Sequence, residues 1–153
     1  SGQVIVPLLR ALLSEPYLDL PPPKSTGRDL FNPDWLQGRL AGFAAAAPAN
    51  VQATLLEFTA QACAADLQRH AAPSQALIVC GGGALNTTLM RRLQSALPTV
   101  KVTSSALQGL PPLQVEAAAF AWLARKAMHR ETGSLKSVTG TRGARVLGAI
   151  YPR

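Results

Sequence analysis

The apolar positions of this chain recur with two periods, and the places where the period changes mark its elements. Val4, Leu8, Leu9, Leu12 and Leu13 repeat at helical spacing up to Glu15-Pro16, with Pro7 in an early turn where a missing N–H is tolerated. Val51, Leu55, Phe58 and Ala62 make one face of a second helix, which Asn50 is placed to cap and Pro73 to end. Leu77-Ile78-Val79-Cys80 is a short apolar run of the kind a buried strand leaves, and three glycines, Gly81-Gly82-Gly83, follow it directly. Leu85, Leu89 and Leu93, with Met90 and Leu97 beside them, then form a new helical stripe, and Val100-Lys101-Val102-Thr103 alternates as a strand. Pro111-Pro112 opens an alanine-rich run through Ala124 that predicts a last long helix. Between these, Asn32-Pro33-Asp34-Trp35-Leu36 reads as a turn into a short helix, Gly38 to Pro48 is weakly specified, and the tail from Ser137 reads as a loop with a short buried finish. Helix, strand, glycine turn, helix, strand is the order of an α/β layer, with the sheet partly parallel.

The glycine turn carries the first candidate chemistry. Glycine accepts positive φ and has no Cβ to hold a ligand away, so Gly81, Gly82 and Gly83 can bring main chain against the flat face of a base or ribose. The turn lacks both the GxGxxG spacing of a dinucleotide fold and the GKS or GKT of a P-loop, and it can equally be a bare connection. Asn86 can cap the following helix or contact the ligand. Glu116 is the second candidate. It shares a stripe with Phe120, Leu123 and Ala127, where solvent should be scarce, and a carboxylate there needs a partner. A ligand hydroxyl in a cleft is one such partner; the plainer reading is a first-turn glutamate favoured by the helix dipole. The stretch Leu20-Pro21-Pro22-Pro23-Lys24-Ser25-Thr26-Gly27-Arg28-Asp29 puts several donors into a proline-stiffened segment, suited either to an anion or sugar or to capping the next turn through Ser25 or Thr26.

Composition narrows the field. At 153 residues the chain fits one domain; 48% hydrophobic content and a mean hydropathy of +0.14 are globular values, and no apolar run reaches the length of a membrane helix. Cys63 and Cys80 read as reduced core residues, and without a CxxC or a Cys/His cluster a structural metal site is not expected. His70 and His129 stand alone near helix ends. The net charge of +7 raises a nucleic-acid reading, but the basic residues are scattered and no aromatics alternate with them as a stacking platform requires. Ser1-Gly2-Gln3 is neither an initiator methionine nor a signal peptide and looks like the cut end of a longer chain or a tag scar.

Several stretches taken together resemble the C-terminal half of the anhydro-N-acetylmuramic acid kinases, cell-wall recycling enzymes of the sugar-kinase/actin/heat-shock ATPase superfamily. They are Pro22 to Asn32, Val79 to Asn86, Val115-Glu116-Ala117 with Phe120 to Ala124, Ser137 to Gly140, and Val146 to Ile150; they occur in the family's order and cover nearly the whole chain. The resemblance implies one lobe of a bilobal actin-like (ribonuclease H-like) fold with a mixed sheet packed by helices. In that lobe residues 1–48 give an N-terminal helix and ordered Pro-rich loop, and 49–153 a nucleotide-binding α/β core. It implies ATP and Mg2+ as cofactors, a bacterial cytoplasmic setting, and a homodimer for the full-length enzyme. Water would open the 1,6-anhydro ring of anhydro-N-acetylmuramic acid while O6 is phosphorylated, giving N-acetylmuramic acid 6-phosphate. Gly81, Gly82, Gly83 and Asn86 would lie at the adenosine and Glu116 would face the sugar. The family's two phosphate loops, of GTSMDG and FDTGPGN type, and its catalytic aspartate precede the matched part. This chain therefore contains no catalytic base of its own and is expected to be silent alone, because phosphoryl transfer needs positioned phosphate, metal and base. The family usually carries an aspartate shortly before the Glu-Ala pair, where this chain reads Pro112-Leu113-Gln114, which bears on sugar preference. The alternative from a different class is an adenine-nucleotide-binding module without chemistry.

Overall fold

The computed structural model describes residues 2–151. Among the described residues six α-helices and two strands follow in the order α1 (Val6–Leu13), α2 (Pro33–Leu40), α3 (Pro48–His70), β1 (Ala76–Val79), α4 (Thr87–Ala96), β2 (Lys101–Ser104), α5 (Val115–Met128) and α6 (Lys136–Thr139), with short 3-10 turns between several of them. The expected α/β alternation is present, with β1 and β2 paired in parallel across α4; among the described residues the sheet has these two strands. No helix among the described residues is long and apolar enough to cross a membrane.

The chain divides into two compact units. The first runs to Leu20, from Ser25 to Leu77 and from Asn86 to Thr103; the second takes Pro21–Lys24, Ile78–Leu85 and the chain from Ser104 onward. In the first unit α1 lies on α3, burying Leu8, Leu9 and Leu12 with Phe58, which is the face the sequence spacing predicts. Pro7 falls in the opening turn of α1, as expected. Thr54 is fully buried on α3, and its hydroxyl accepts from the Ile5 amide at 2.9 Å and donates to the Asn50 carbonyl at 2.7 Å, so its burial leaves no polar group unpaired. Phe31, Trp35 and Phe58 meet ring to ring at centroid separations of 5.0–6.1 Å.

One feature of this unit differs from the sequence reading. Asn50 does not cap α3: the helix begins two residues earlier at Pro48, whose missing N–H costs nothing at the first position, and the Asn50 side chain instead accepts from the Gln3 amide at 2.8 Å. Ser25 and Thr26 lead into a turn over residues 28–30. In that loop the Gly27 amide donates to Asp29 Oδ1 at 2.7 Å, and this bond, with further donors nearby, holds the Asp29 carboxyl below its usual value.

A buried glutamate ties α2 to the end of α1. Glu15 Oε2 accepts from Trp35 Nε1 at 2.8 Å and from the Arg39 guanidinium at 2.8 Å. These bonds, Trp35 first, hold its carboxyl below the ordinary 4.5 against a burial that pushes it up. Glu57 on α3 is held low in the same way, by Arg92 of α4 at 2.5 Å and then by Gln61. A carboxyl depressed on folding stabilises the fold fully above its unfolded pKa and loses that contribution as pH falls through its folded value. The thermal midpoint should therefore be level above about pH 5 and fall in acid. Glu15→Gln should flatten part of that acid limb and lower the midpoint at neutral pH; an acid limb identical to wild type in a pH series of melts would contradict the assignment.

The second unit holds the glycine turn, α5, α6 and the tail. Every buried apolar side chain of the described chain belongs to the first unit. The stripe on α5 was expected to be covered, yet no residue of α5 is buried and Phe120 is 62% exposed. The tail likewise forms no buried element: α6 spans one turn and Leu147 and Ile150 are exposed, while Pro152 lies outside the described residues. Spacing shows which face of a helix is apolar and is silent on what covers it.

Candidate functional site

Strand β1 ends in the turn the sequence pointed to. Gly81 has φ +70°, a conformation a residue with a Cβ adopts only under strain, and its carbonyl accepts from the Ala84 amide at 3.2 Å as the chain tightens into a 3-10 turn over Gly82–Leu85. The Gly81 amide donates to the Pro112 carbonyl at 2.9 Å. That bond ties the turn to the segment just before α5 and sets the two walls of a cavity of about 380 Å³. Gly81 and Gly82 with Cys80 form one wall; Pro112, Leu113, Val115, Glu116 and Ala119 form the other. A Cβ built at Gly81 or Gly82 meets nothing within 4 Å. Packing within the protein therefore leaves Gly82, one of the residues that line the cavity, free to carry a side chain.

Glu116 sits in the first turn of α5 and lines this cavity. It is exposed, and among the described residues it has no hydrogen-bond or ion-pair partner, so the expectation of a carboxylate sheltered from solvent is corrected. The reason is the bare face of α5, which leaves its first turn open to water. The walls beside Glu116 are otherwise apolar, so an occupant meets main chain on one side, aliphatic carbon on the other, and one acid. That is a fitting surface for a flat ring and an acceptor for a hydroxyl.

The other expected site residues fall as follows. Gly83 is half-buried behind Gly82 and does not line the cavity. Asn86 belongs to the first unit and caps α4: its Oδ1 accepts from the Thr88 amide at 3.1 Å and the Leu89 amide at 3.0 Å. Of the two roles the sequence left open, the cap is the one seen. Sequence reasoning put Cys80 and Cys63 in the core, and both are exposed. Cys80 faces the cavity because it is the last residue before the turn, a position that pattern alone assigned to a buried strand. Cys63 is exposed on α3, though its surroundings and the Asp66 charge push the thiol up from its usual value.

Comparison with known proteins bears on the family of the chain. A family profile described as anhydro-N-acetylmuramic acid kinase matches residues 1–153. The chain belongs to that family. A protein of Variovorax paradoxus named anhydro-N-acetylmuramic acid kinase is 64% identical over 152 residues, which are 99% of this chain and 40% of that relative. Proteins of the same name from Albidiferax ferrireducens and Cupriavidus pinatubonensis are 60% and 57% identical, over 99% and 100% of this chain and 39% and 41% of theirs. The chain thus spans about two fifths of the length of these kinases. The aligned stretch of the Variovorax relative, 152 of these 153 residues, spans both the glycine turn and the start of α5.

Proposed function

We propose that these residues are the C-terminal lobe of a bilobal, actin-like kinase that uses ATP and Mg2+ to open 1,6-anhydro-N-acetylmuramic acid and phosphorylate it to N-acetylmuramic acid 6-phosphate. The observation that carries this reading is the single cavity on which both Gly81-Gly82 and Glu116 open. In it the backbone of Gly81 and Gly82 runs along the adenosine, and Glu116 accepts from a sugar hydroxyl. The residues present fit a nucleoside: the Cβ directions are open, the opposite wall is aliphatic, and a main-chain turn needs no positive charge to approach a base. Bound ATP supplies the phosphoryl group, and this reading leaves Mg2+ with its phosphates. The phosphate loops and the catalytic base belong to the remainder of the kinase, so the 153 residues alone do not turn over. The full-length enzyme works as a homodimer in the bacterial cytoplasm, where ATP is available.

The test is the reaction itself. Full-length kinase incubated with ATP and anhydro-N-acetylmuramic acid should form ADP and N-acetylmuramic acid 6-phosphate in equal amounts, read by mass spectrometry. An enzyme that binds ATP and never phosphorylates the sugar would overturn the substrate assignment.

A further inference from the structure

Helix α5 is apolar almost all the way round: of its fourteen residues only Glu116, Arg125 and Lys126 are charged. A helix of that composition belongs inside a folded body. Here no residue of it is buried, with Phe120 62% and Trp122 50% exposed, and the tail beside it adds Ile150 at 62%. The tail is nevertheless placed. The Gly133 amide donates to the Arg145 carbonyl at 3.0 Å, and the Arg145 amide donates to the buried Ser134 hydroxyl at 3.1 Å. Between α5 and this tail lies an apolar groove of about 450 Å³, lined by Phe120, Leu123, Ala127, Leu147 and Ile150 among others.

We propose that α5 and this groove are the seat for the part of the kinase polypeptide beyond these 153 residues, which encloses α5 on both sides and thereby holds Glu116 in place. This rests on the reading that the chain works within a longer kinase. Two observations choose this occupant. The first is length: 152 aligned residues are 40% of the Variovorax relative, so such a kinase carries more than enough additional chain. The second is geometry. Phe120 and Trp122 are two residues apart, roughly 200° around the helix at about 100° per residue, so they point to nearly opposite sides. A second copy joined through one self-complementary patch covers one side of a helix and leaves the other wet. Chain that continues in the same polypeptide can wrap both. Glu116 opens this helix and lines the nucleotide cavity, so a covered α5 is also what fixes the acid's direction.

Hydrogen exchange on the full-length kinase tests this. Amides of 115–128 should exchange at least about a hundredfold more slowly than in an open helix, with the same protection throughout a dilution series. Phe120→Asp should abolish that protection or the soluble protein, while Phe120→Leu should keep both. Exchange at the rate of an open helix would overturn the proposal, and so would protection that disappears on dilution, which would mean a second copy is the cover. Phosphorylation assayed on the same preparation separates the two claims. Activity with an unprotected α5 would sink only the docking proposal; a protected α5 without activity would sink only the kinase reading and leave the docking proposal supported.

Discussion

Replacing Glu116 with glutamine in the full-length kinase should lower kcat/KM for anhydro-N-acetylmuramic acid by about 10²–10³-fold, the range for losing a charged group that acts on the reacting sugar. Nucleotide affinity should stay within about twofold, because the proposed place for the adenosine is the main chain across the cavity. Glutamine keeps the shape and removes the charge. Since Glu116 is exposed and unpaired among the described residues, the fold has little to lose: its interaction with the helix dipole is worth roughly 0.3–1 kcal/mol at most. A large kinetic effect with an unchanged melting temperature is the signature of a group that works on the ligand. If sugar kinetics do not move, Glu116 is a helix-dipole residue and the site loses its one acid.

The second large effect is expected at Gly82, and Gly81 supplies its control. A Cβ at Gly82 has open space before it, so Gly82→Val should leave stability nearly unchanged while its methyl groups fill the face offered to the base. ATP affinity should fall tenfold or more, about 1.4 kcal/mol for each factor of ten. Gly81→Ala acts through the backbone instead. At φ +70° an alanine carries a left-handed strain of roughly 1–2 kcal/mol, so this variant should melt earlier. If Gly82→Val binds ATP like wild type, the turn is a connection and the nucleotide lies elsewhere.

Much of this architecture was legible in the chain. The stripes of α1 and α3, the run into the glycines and the alternation at Val100 to Thr103 placed the elements, because apolar period depends on local geometry alone. Two competing helix-start rules met before α3, an asparagine cap at 50 and a first-turn proline at 48, and the proline prevailed. What could not be read was whatever depends on distant chain. Glu15 looked unremarkable beside Pro16, yet Trp35 and Arg39, more than nineteen positions on, make it the polar anchor of the first unit. Cys80 and the stripe on α5 were assigned to the core from apolar neighbours, a property they do have, whereas their exposure depends on what packs against them. The candidate site fared similarly. Gly81, Gly82 and Glu116 were singled out separately by residue type, and the bond from the Gly81 amide to the Pro112 carbonyl, which brings their segments to one cavity, left no mark in the sequence.

Cys80 offers the most direct test of the account's central claim, that this cavity is where the nucleotide lies. Alkylation of the full-length kinase should be followed site by site with mass spectrometry, using Cys63 on α3 as the internal reference. Saturating ATP should slow labelling of Cys80 about tenfold or more, in step with occupancy, and leave Cys63 unchanged, and Gly82→Val should need about tenfold or more ATP for the same protection. Labelling of Cys80 at the same rate with and without saturating ATP would contradict the account.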